Sequence, residues 1–243
     1  MGGAGIIRDM GGDTVIIMVR SFKDITNIII PHFEKYPLLT KKHADYLLFK
    51  QIVDIIEEKG HLTQEGFEKI VSIKGSINLG LSDSLKVAFP DVNPVIRPDV
   101  DKEILNLINN NWISGFSSAE GCFLVSIGKS PSHKLGSSVQ LVFQITQHSR
   151  DIMLMEKIVE YFGFGRVRIR GNHVDYICTK FSNISDSIIP FFLEYPIKGV
   201  KSSDFEDWRK VANLMATKSH LTLEGLEQIR QIKSGMNTGR EHN

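Results

Sequence analysis

Cysteine is scarce in this chain, and its scarcity excludes two classes of protein. Cys122 and Cys178 are the only two in 243 residues, and they stand far apart, outside any CxxC or Cys/His ligand spacing. Neither a structural zinc site nor a disulfide scaffold fits that pattern, and a reducing compartment does. An excess of charge of one sign is also missing: 29 Lys and Arg face 28 Asp and Glu, for a net charge of +1. A surface for a polyanion must therefore come from local segregation of charge. No apolar run approaches the ~18 residues of a membrane span. The first residues carry neither a signal-peptide apolar stretch nor an Arg/Ser-rich presequence, and Ile6 stands where a myristoylation signal opening Met1-Gly2 requires Ser or Thr. What the chain does have is 42% hydrophobic and 9% aromatic residues. That suffices to bury a core in one large domain or two small ones, in a soluble protein with no membrane partner.

One pattern occurs twice. Residues 31–80 and 190–239 align without a gap at an offset of 159, through Pro31/Pro190, Tyr36-Pro37/Tyr195-Pro196, Asp45/Asp204, His61-Leu62-Thr63/His220-Leu221-Thr222, Glu65-Gly66/Glu224-Gly225 and Asn78/Asn237. Upstream the match passes Phe22/Phe181 and, at an offset of 160, reaches Gly3-x-Gly5 opposite Gly163-x-Gly165. Each unit reads as a β hairpin, turned at Gly11-Gly12-Asp13 and at Gly171-Asn172. An amphipathic helix follows near 43–58, with Leu47, Leu48, Ile52, Ile55 and Ile56 on one stripe; its counterpart carries Phe205, Trp208, Ala212 and Met215. A second helix is capped by Thr63 or Thr222, with Leu62/Phe67 and Leu221/Leu226 placed as hydrophobic staples. Between the repeats, Pro90, Pro94 and Pro98 exclude a continuing helix or an interior strand. Residues 101–162 have no counterpart, so the repeats are unequal at their N-terminal ends.

The unmatched stretch carries the chemistry. Residues 104–121 begin as an apolar helix and end in Ser114-Gly115-Phe116-Ser117-Ser118-Ala119-Glu120-Gly121, where Gly115, Ser118 and Ala119 leave one face nearly flat for a neighbouring helix. Glu120 falls at the helix C-terminus, where the macrodipole disfavours an anion and invites a cation, and Gly121 suits the left-handed C′ position. A solvated glutamate is the commoner arrangement on composition alone. Residues 138–146 then alternate strictly: Val139, Leu141, Phe143 and Ile145 face one side, Ser138, Gln140, Val142, Gln144 and Thr146 the other. Half-exposed sheets are ordinary, yet amides and hydroxyls are also the groups that read base edges, Gln being suited to adenine. Arg166, Arg168 and Arg170, at every second position, add a row of guanidinium groups able to meet phosphate or guanine. Gly121…Gly128-Lys129-Ser130 is no P-loop, because six residues separate its glycines where four are needed.

Ile113-Ser-Gly-Phe-Ser-Ser-Ala-Glu-Gly121, followed by Cys122-Phe123, resembles the LAGLIDADG motif. With Gln140-Leu-Val-Phe143, Ile145-Thr-Gln-His148, Thr179-Lys-Phe181, Gly199-Val-Lys201, Phe205-Glu-Asp-Trp208 and the two His-Leu-Thr helices, almost the whole chain is similar to single-chain, two-repeat, intron-encoded LAGLIDADG homing endonucleases of fungal mitochondria. The resemblance implies an α+β fold of αββαββα repeats, whose antiparallel sheets form a saddle over DNA. It divides the chain into a partial first repeat (1–82), a linker (83–102) and a complete second repeat (103–243), with the first repeat's helix, first hairpin and carboxylate expected ahead of Met1. It implies metal-dependent hydrolysis of double-stranded DNA at a specific site. Glu120 and the Ala119 carbonyl would hold Mg²⁺ or another divalent metal, Gln140 would organise the site, and Arg170 would replace the usual lysine near the start of the third strand. An arginine orients a phosphate better than it carries a proton. Expected DNA contacts are Ser126, Ser138, Gln144, Thr146, Arg166, Arg168, Asp175 and Thr179, with Arg8 and Arg20 from the first repeat. Without its partner helix, the Glu103–Gly121 helix would favour self-association over the monomer of a complete protein, and the chain alone would cut poorly. The gene would lie in the mitochondrion, with no need of a targeting peptide. The alternative reading is an RNA-binding intron maturase or an inactive DNA-binding relative, separated from the first by gel-shift competition between intron RNA and insertion-site DNA.

Overall fold

The computed structural model describes residues 3–12, 14–100 and 102–240. They divide into two compact units, Met1–Asn106 and Leu107–Asn243. No helix among the described residues is long and apolar enough to cross a membrane.

In the first unit, β1 (Ile6–Asp9) and β2 (Val15–Met18) form a two-stranded antiparallel sheet. Gly11 and Gly12 turn between them at positive φ, while Asp13 of the expected turn lies outside the described residues. The chain continues through α1 (Phe22–Asp24), a π-helical turn at Ile25–Ile29, α2 (Ile30–Lys35), α3 (Lys42–Glu57), α4 (Gln64–Gly75) and α5 (Asp83–Ala88). Helix α3 is buried on two flanks, not along one stripe. Tyr46 and Val53 pack with Ile30, and Leu48 packs with Ile73 and Ile77. The expected linker is less irregular than its prolines suggest, since it opens with α5. Beyond it, Ser72 and Ser76 donate to the carbonyls of Asn93 and Val95, and Arg97 donates to Asp45 at 2.7 Å, so side-chain hydrogen bonds tie this proline-rich stretch to the helices of the first unit.

The second unit runs α6 (Asn110–Glu120), β3 (Gly121–Lys129), β4 (Ser137–His148), α7 (Ile152–Phe162), β5 (Arg166–Arg170), β6 (His173–Cys178), α8 (Phe181–Asn183), a π-helical turn at Ile184–Ile188, α9 (Ile189–Glu194), α10 (Lys201–Ala216) and α11 (Leu223–Ser234). Its four strands are antiparallel in the order β3-β4-β6-β5. The architecture is therefore α+β with antiparallel sheets. The helix expected from residue 104 begins only at Asn110. Lys102–Leu107 is a 3-10 segment, and the Asn109 side chain caps the new start by accepting from the Trp112 amide at 3.1 Å. One sheet face holds the core, where the Phe123 ring lies 5.2–5.5 Å from those of Phe143, Phe192, Phe205 and Trp208. Phe123, Phe143, Tyr176, Phe192 and Trp208 are fully buried, each adding roughly 1.5–3 kcal/mol of burial.

The sequence repeat survives in side-chain detail. Thr63 and Thr222 accept from the amides of Gly66 and Gly225, both at 3.1 Å. Asn78 and Asn237 both take φ 52°, and their amides donate to Asp45 and Asp204. The staples are weaker than expected, because Leu62 and Leu221 remain 74% and 52% exposed, so the threonine caps carry the helix starts. Thr222→Ala should lower stability by about 1 kcal/mol, and Leu221→Ala by less than about 0.5 kcal/mol, both read from urea midpoints. Equal losses would restore the staple.

Candidate active site and nucleic-acid interface

Helix α6 hands over to β3 without a loop. Gly121 is extended, at φ −71° and ψ 152°, and not left-handed as a C′ glycine would be. Its reason is steric: a Cβ there would lie 2.5 Å from the Ser117 carbonyl oxygen. The small residues of α6 are used as fasteners. Ser114 Oγ donates to the Pro196 carbonyl at 2.9 Å, and Ser118 Oγ accepts from the Lys198 amide at 2.9 Å. That tethered segment leads to Lys201, the first residue of α10, whose Nζ donates to the Ala119 carbonyl at 2.8 Å. The cation invited by the helix C-terminus is thus Lys201, which offsets the dipole beside Glu120. Burial pushes its pKa below the ordinary lysine range, against the pull of Cys122, Glu120 and Asp204. Asn237 completes the frame, donating through Nδ2 to the Phe123 carbonyl at 3.1 Å.

Glu120 itself is exposed, as are Asn111, Gly115 and Ala119 on α6. Its carboxylate is a hard oxygen donor, and the Ala119 carbonyl keeps a second lone pair beside the one that accepts from Lys201; this chemistry fits Mg²⁺ or Ca²⁺ retaining most of its water. Among the described residues no group of three His, Cys, Asp or Glu forms a metal cage, so this is an open site, to be completed by water and substrate oxygens.

Two expected partners are not brought to Glu120. Gly121 pairs with Ile145, whereas Gln140 pairs with Ser126. Gln140 therefore lies five residues along β4, about 16 Å from the helix end. Arg170 is the last residue of β5, not near its start. It stands three strand spacings from β3, about 14 Å across the sheet, with its guanidinium bound to Asp175. Lys201 is the basic side chain that the structure does bring to this helix end. It ends Gly199-Val-Lys201, and Lys42 repeats it at the offset of 159.

Cross-strand partners share a face, and the register gathers the polar residues opposite the core. Ser126 and Gln140 form one pair, and Cys122, Gln144, Ile177 and Arg166 form a row across all four strands. Thr146, Asp175 and Arg168 form the next row, and His148, His173 and Arg170 the last. Ser138 and Thr179 border this face, half-buried, while Arg166 is exposed. Arg8 and Arg20 are exposed in the first unit, Arg8 on β1. Gly165, at φ +91°, lets β5 start against the Tyr176 ring, where a Cβ would come within 2.6 Å.

Asp175 corrects the expectation of a direct DNA contact: it is fully buried. It accepts from Arg168 Nε at 3.1 Å, Arg170 Nε at 2.7 Å and Nη2 at 3.0 Å, Thr146 Oγ1 at 2.7 Å and Gln144 Nε2 at 3.1 Å. Burial raises its pKa, but the hydrogen bonds from Arg170, Thr146 and Arg168 and the charge of Arg170 bring it down to about 2. Gln144 also spends its amide hydrogens here, the second going to Thr146 Oγ1 at 2.8 Å, so it cannot offer adenine the paired donor and acceptor expected of it.

Comparison with known proteins fits this geometry. A family model described as LAGLIDADG endonuclease matches residues 1–53 and 113–212. The probable intron-encoded endonuclease 3 of Neurospora crassa is 46% identical over 232 residues, which cover 94% of this chain and 43% of that protein. The probable intron-encoded endonuclease 2 of the same organism is 38% identical over 233 residues, 92% of this chain and 50% of that protein. The chain spans about half the length of these curated relatives. Among solved structures, the I-SmaMI LAGLIDADG homing endonuclease bound to cleaved DNA superposes with a TM-score of 0.94 at 46% identity, over 99% of this chain and 80% of that one. The same protein bound to an uncleaved DNA target with calcium ions gives 0.90 at 45% identity, over 97% and 80%.

A depressed carboxylate pKa stabilises the fold above its ordinary value, and that contribution is lost as pH falls through the folded value. For Asp175 the window runs from 3.8 down to about 2. Asp175→Asn should flatten the fall of stability across that window, measured by urea unfolding at each pH. An unchanged acid limb would mean that the arginines do not hold the carboxylate.

Proposed function

Because this chain belongs to the LAGLIDADG endonuclease family, we propose that it binds a specific site in double-stranded DNA and cleaves it by metal-assisted phosphodiester hydrolysis. The observation that carries this reading is the convergence of the Glu120 carboxylate, the Ala119 carbonyl and the Lys201 ammonium at one end of α6. A sheet face of amides, hydroxyls and guanidinium groups extends from that point. Its charge segregation is the local kind that a net charge of +1 requires.

Glu120 and the Ala119 carbonyl would hold the divalent cation, of which Mg²⁺ suits the hard oxygens. When bound, the ion supplies a water of lowered pKa and neutralises charge on the phosphate. Lys201 has a separate task. Burial lowers its pKa, which eases donation of a proton to the leaving oxygen, a step that the always-charged Arg170 could not perform. Structures of I-SmaMI with two lysines replaced by alanine, singly and together, support attention to this pair, because those positions lie 159 residues apart. Lys42 and Lys201 share that offset and begin α3 and α10 in the same way. We place the gene in a fungal mitochondrial intron, in keeping with a Podospora anserina relative in ND4 intron 1 that is 50% identical over 62 residues.

Binding and cutting should separate. Glu120→Gln is expected to abolish Mg²⁺-dependent cleavage of a bound duplex while changing its Kd little, since affinity comes from phosphate and base contacts spread over the sheet. Lys201→Met should slow cleavage about 10²- to 10⁴-fold, also with little loss of binding. Arg166→Ala should weaken binding and reduce the salt slope by about one. Wild-type cleavage by Glu120→Gln, or a loss of binding as severe as the loss of cleavage, would overturn the assignment.

A further inference from the structure

We propose that Asp175 determines DNA sequence specificity without touching DNA, by holding Arg168 and Arg170 as fixed hydrogen-bonding forks; the inference rests on the DNA-binding reading above. An acid in the middle of a phosphate-facing surface opposes affinity, because it cancels part of the positive charge that releases counterions. Asp175 is nevertheless at the centre of the polar face, in register with Thr146 and Arg168. It is fully covered, whereas the Arg168 and Arg170 side chains above it are 44% and 51% exposed.

The way the guanidinium of Arg170 binds is the informative detail. A guanidinium has five N–H donors. Arg170 meets the carboxylate side-on, through Nε to Oδ2 and Nη2 to Oδ1. That leaves the Nη1 donors and the outer Nη2 donor, the end-on pair that matches O6 and N7 of guanine. Arg168 is held through Nε and Nη2 to Oδ2, each at 3.1 Å, which also leaves Nη1 free. Thr146 and Gln144 donate to Oδ1 and fix the carboxylate in turn. An unanchored arginine loses rotamer freedom when it binds a base and reaches several alternatives. Held this way, the two side chains have lost that freedom on folding, so a mismatched base meets donors that cannot move to suit it.

Selection from a random-sequence duplex library tests this without reference to cleavage. Wild-type protein should enrich a motif. Asp175→Asn should enrich the same motif with preference lost at one or two neighbouring base pairs, where discrimination between singly substituted duplexes falls about tenfold. Its affinity for unselected duplex should not fall, because a negative charge has been removed. Arg168→Lys keeps the charge and leaves the buried acid in place, and should lose one of the same positions. A full motif with Asp175→Asn, or loss spread evenly over every position as a loosened sheet would give, overturns the proposal. So does an Arg168→Lys defect at a different position. A wild-type protein that enriches no motif overturns the DNA reading itself, which sets that failure apart from failure of the Asp175 role.

Discussion

A carboxylate at the C-terminus of a helix faces the negative end of the macrodipole, and several contacts of the second unit converge on the helix end that carries Glu120. Lys201 answers the dipole by donating to the Ala119 carbonyl. Gly121 lets the helix turn straight into the central sheet, because any side chain there would collide with the Ser117 carbonyl. Ser114 and Ser118 tie the segment that delivers Lys201 to the body of α6. Asn237, at the end of the repeat, pins the start of β3 through the Phe123 carbonyl. None of these contacts belongs to the aromatic core, but Phe205 and Trp208 of α10 pack on Phe123 of β3, so the core holds the helix that begins with Lys201 against the sheet.

Glu120 and Asp175 are opposite uses of the same ingredients. Both are acids among cations. Asp175 is buried, its two oxygens fully occupied by guanidinium, hydroxyl and amide donors, with a pKa near 2. It has no capacity left for a ligand and acts through the groups it orients. Glu120 is exposed, and Lys201, which feels its charge, engages the neighbouring carbonyl. Its oxygens therefore remain able to take a hard metal ion. Burial and donor count, more than residue type, separate the two roles.

Much of this was legible in the sequence. The gapless repeat, the threonine caps and the alternation of Val139 to Ile145 with polar residues all reappear in the structure. Local patterns of this kind depend on near neighbours and transfer directly. Distances along and across the sheet did not transfer. Alternation assigns Gln140 to the correct face, but the pairing of Gly121 with Ile145 decides how far it lies from Glu120, and register depends on partners remote in sequence. Arg170 failed for the same reason, being on the right face but three strands away. Asp175 looked like an exposed contact because no sequence signal shows that two arginines and a threonine close over it. The late start of α6 was readable in principle, since Asn109 is a strong N-cap residue, but the apolar run from Ile104 obscured it.

Glu120, at the end of α6, is proposed to hold a divalent metal ion at the scissile phosphate. A crystal structure of this chain with its selected duplex and Ca²⁺ addresses it most directly. A divalent ion within about 2.3–2.6 Å of a Glu120 carboxylate oxygen, shared with a DNA phosphate oxygen and with Lys201 still at the Ala119 carbonyl, is the result the account requires. Ions bound elsewhere on the duplex, with Glu120 turned into solvent, would contradict it.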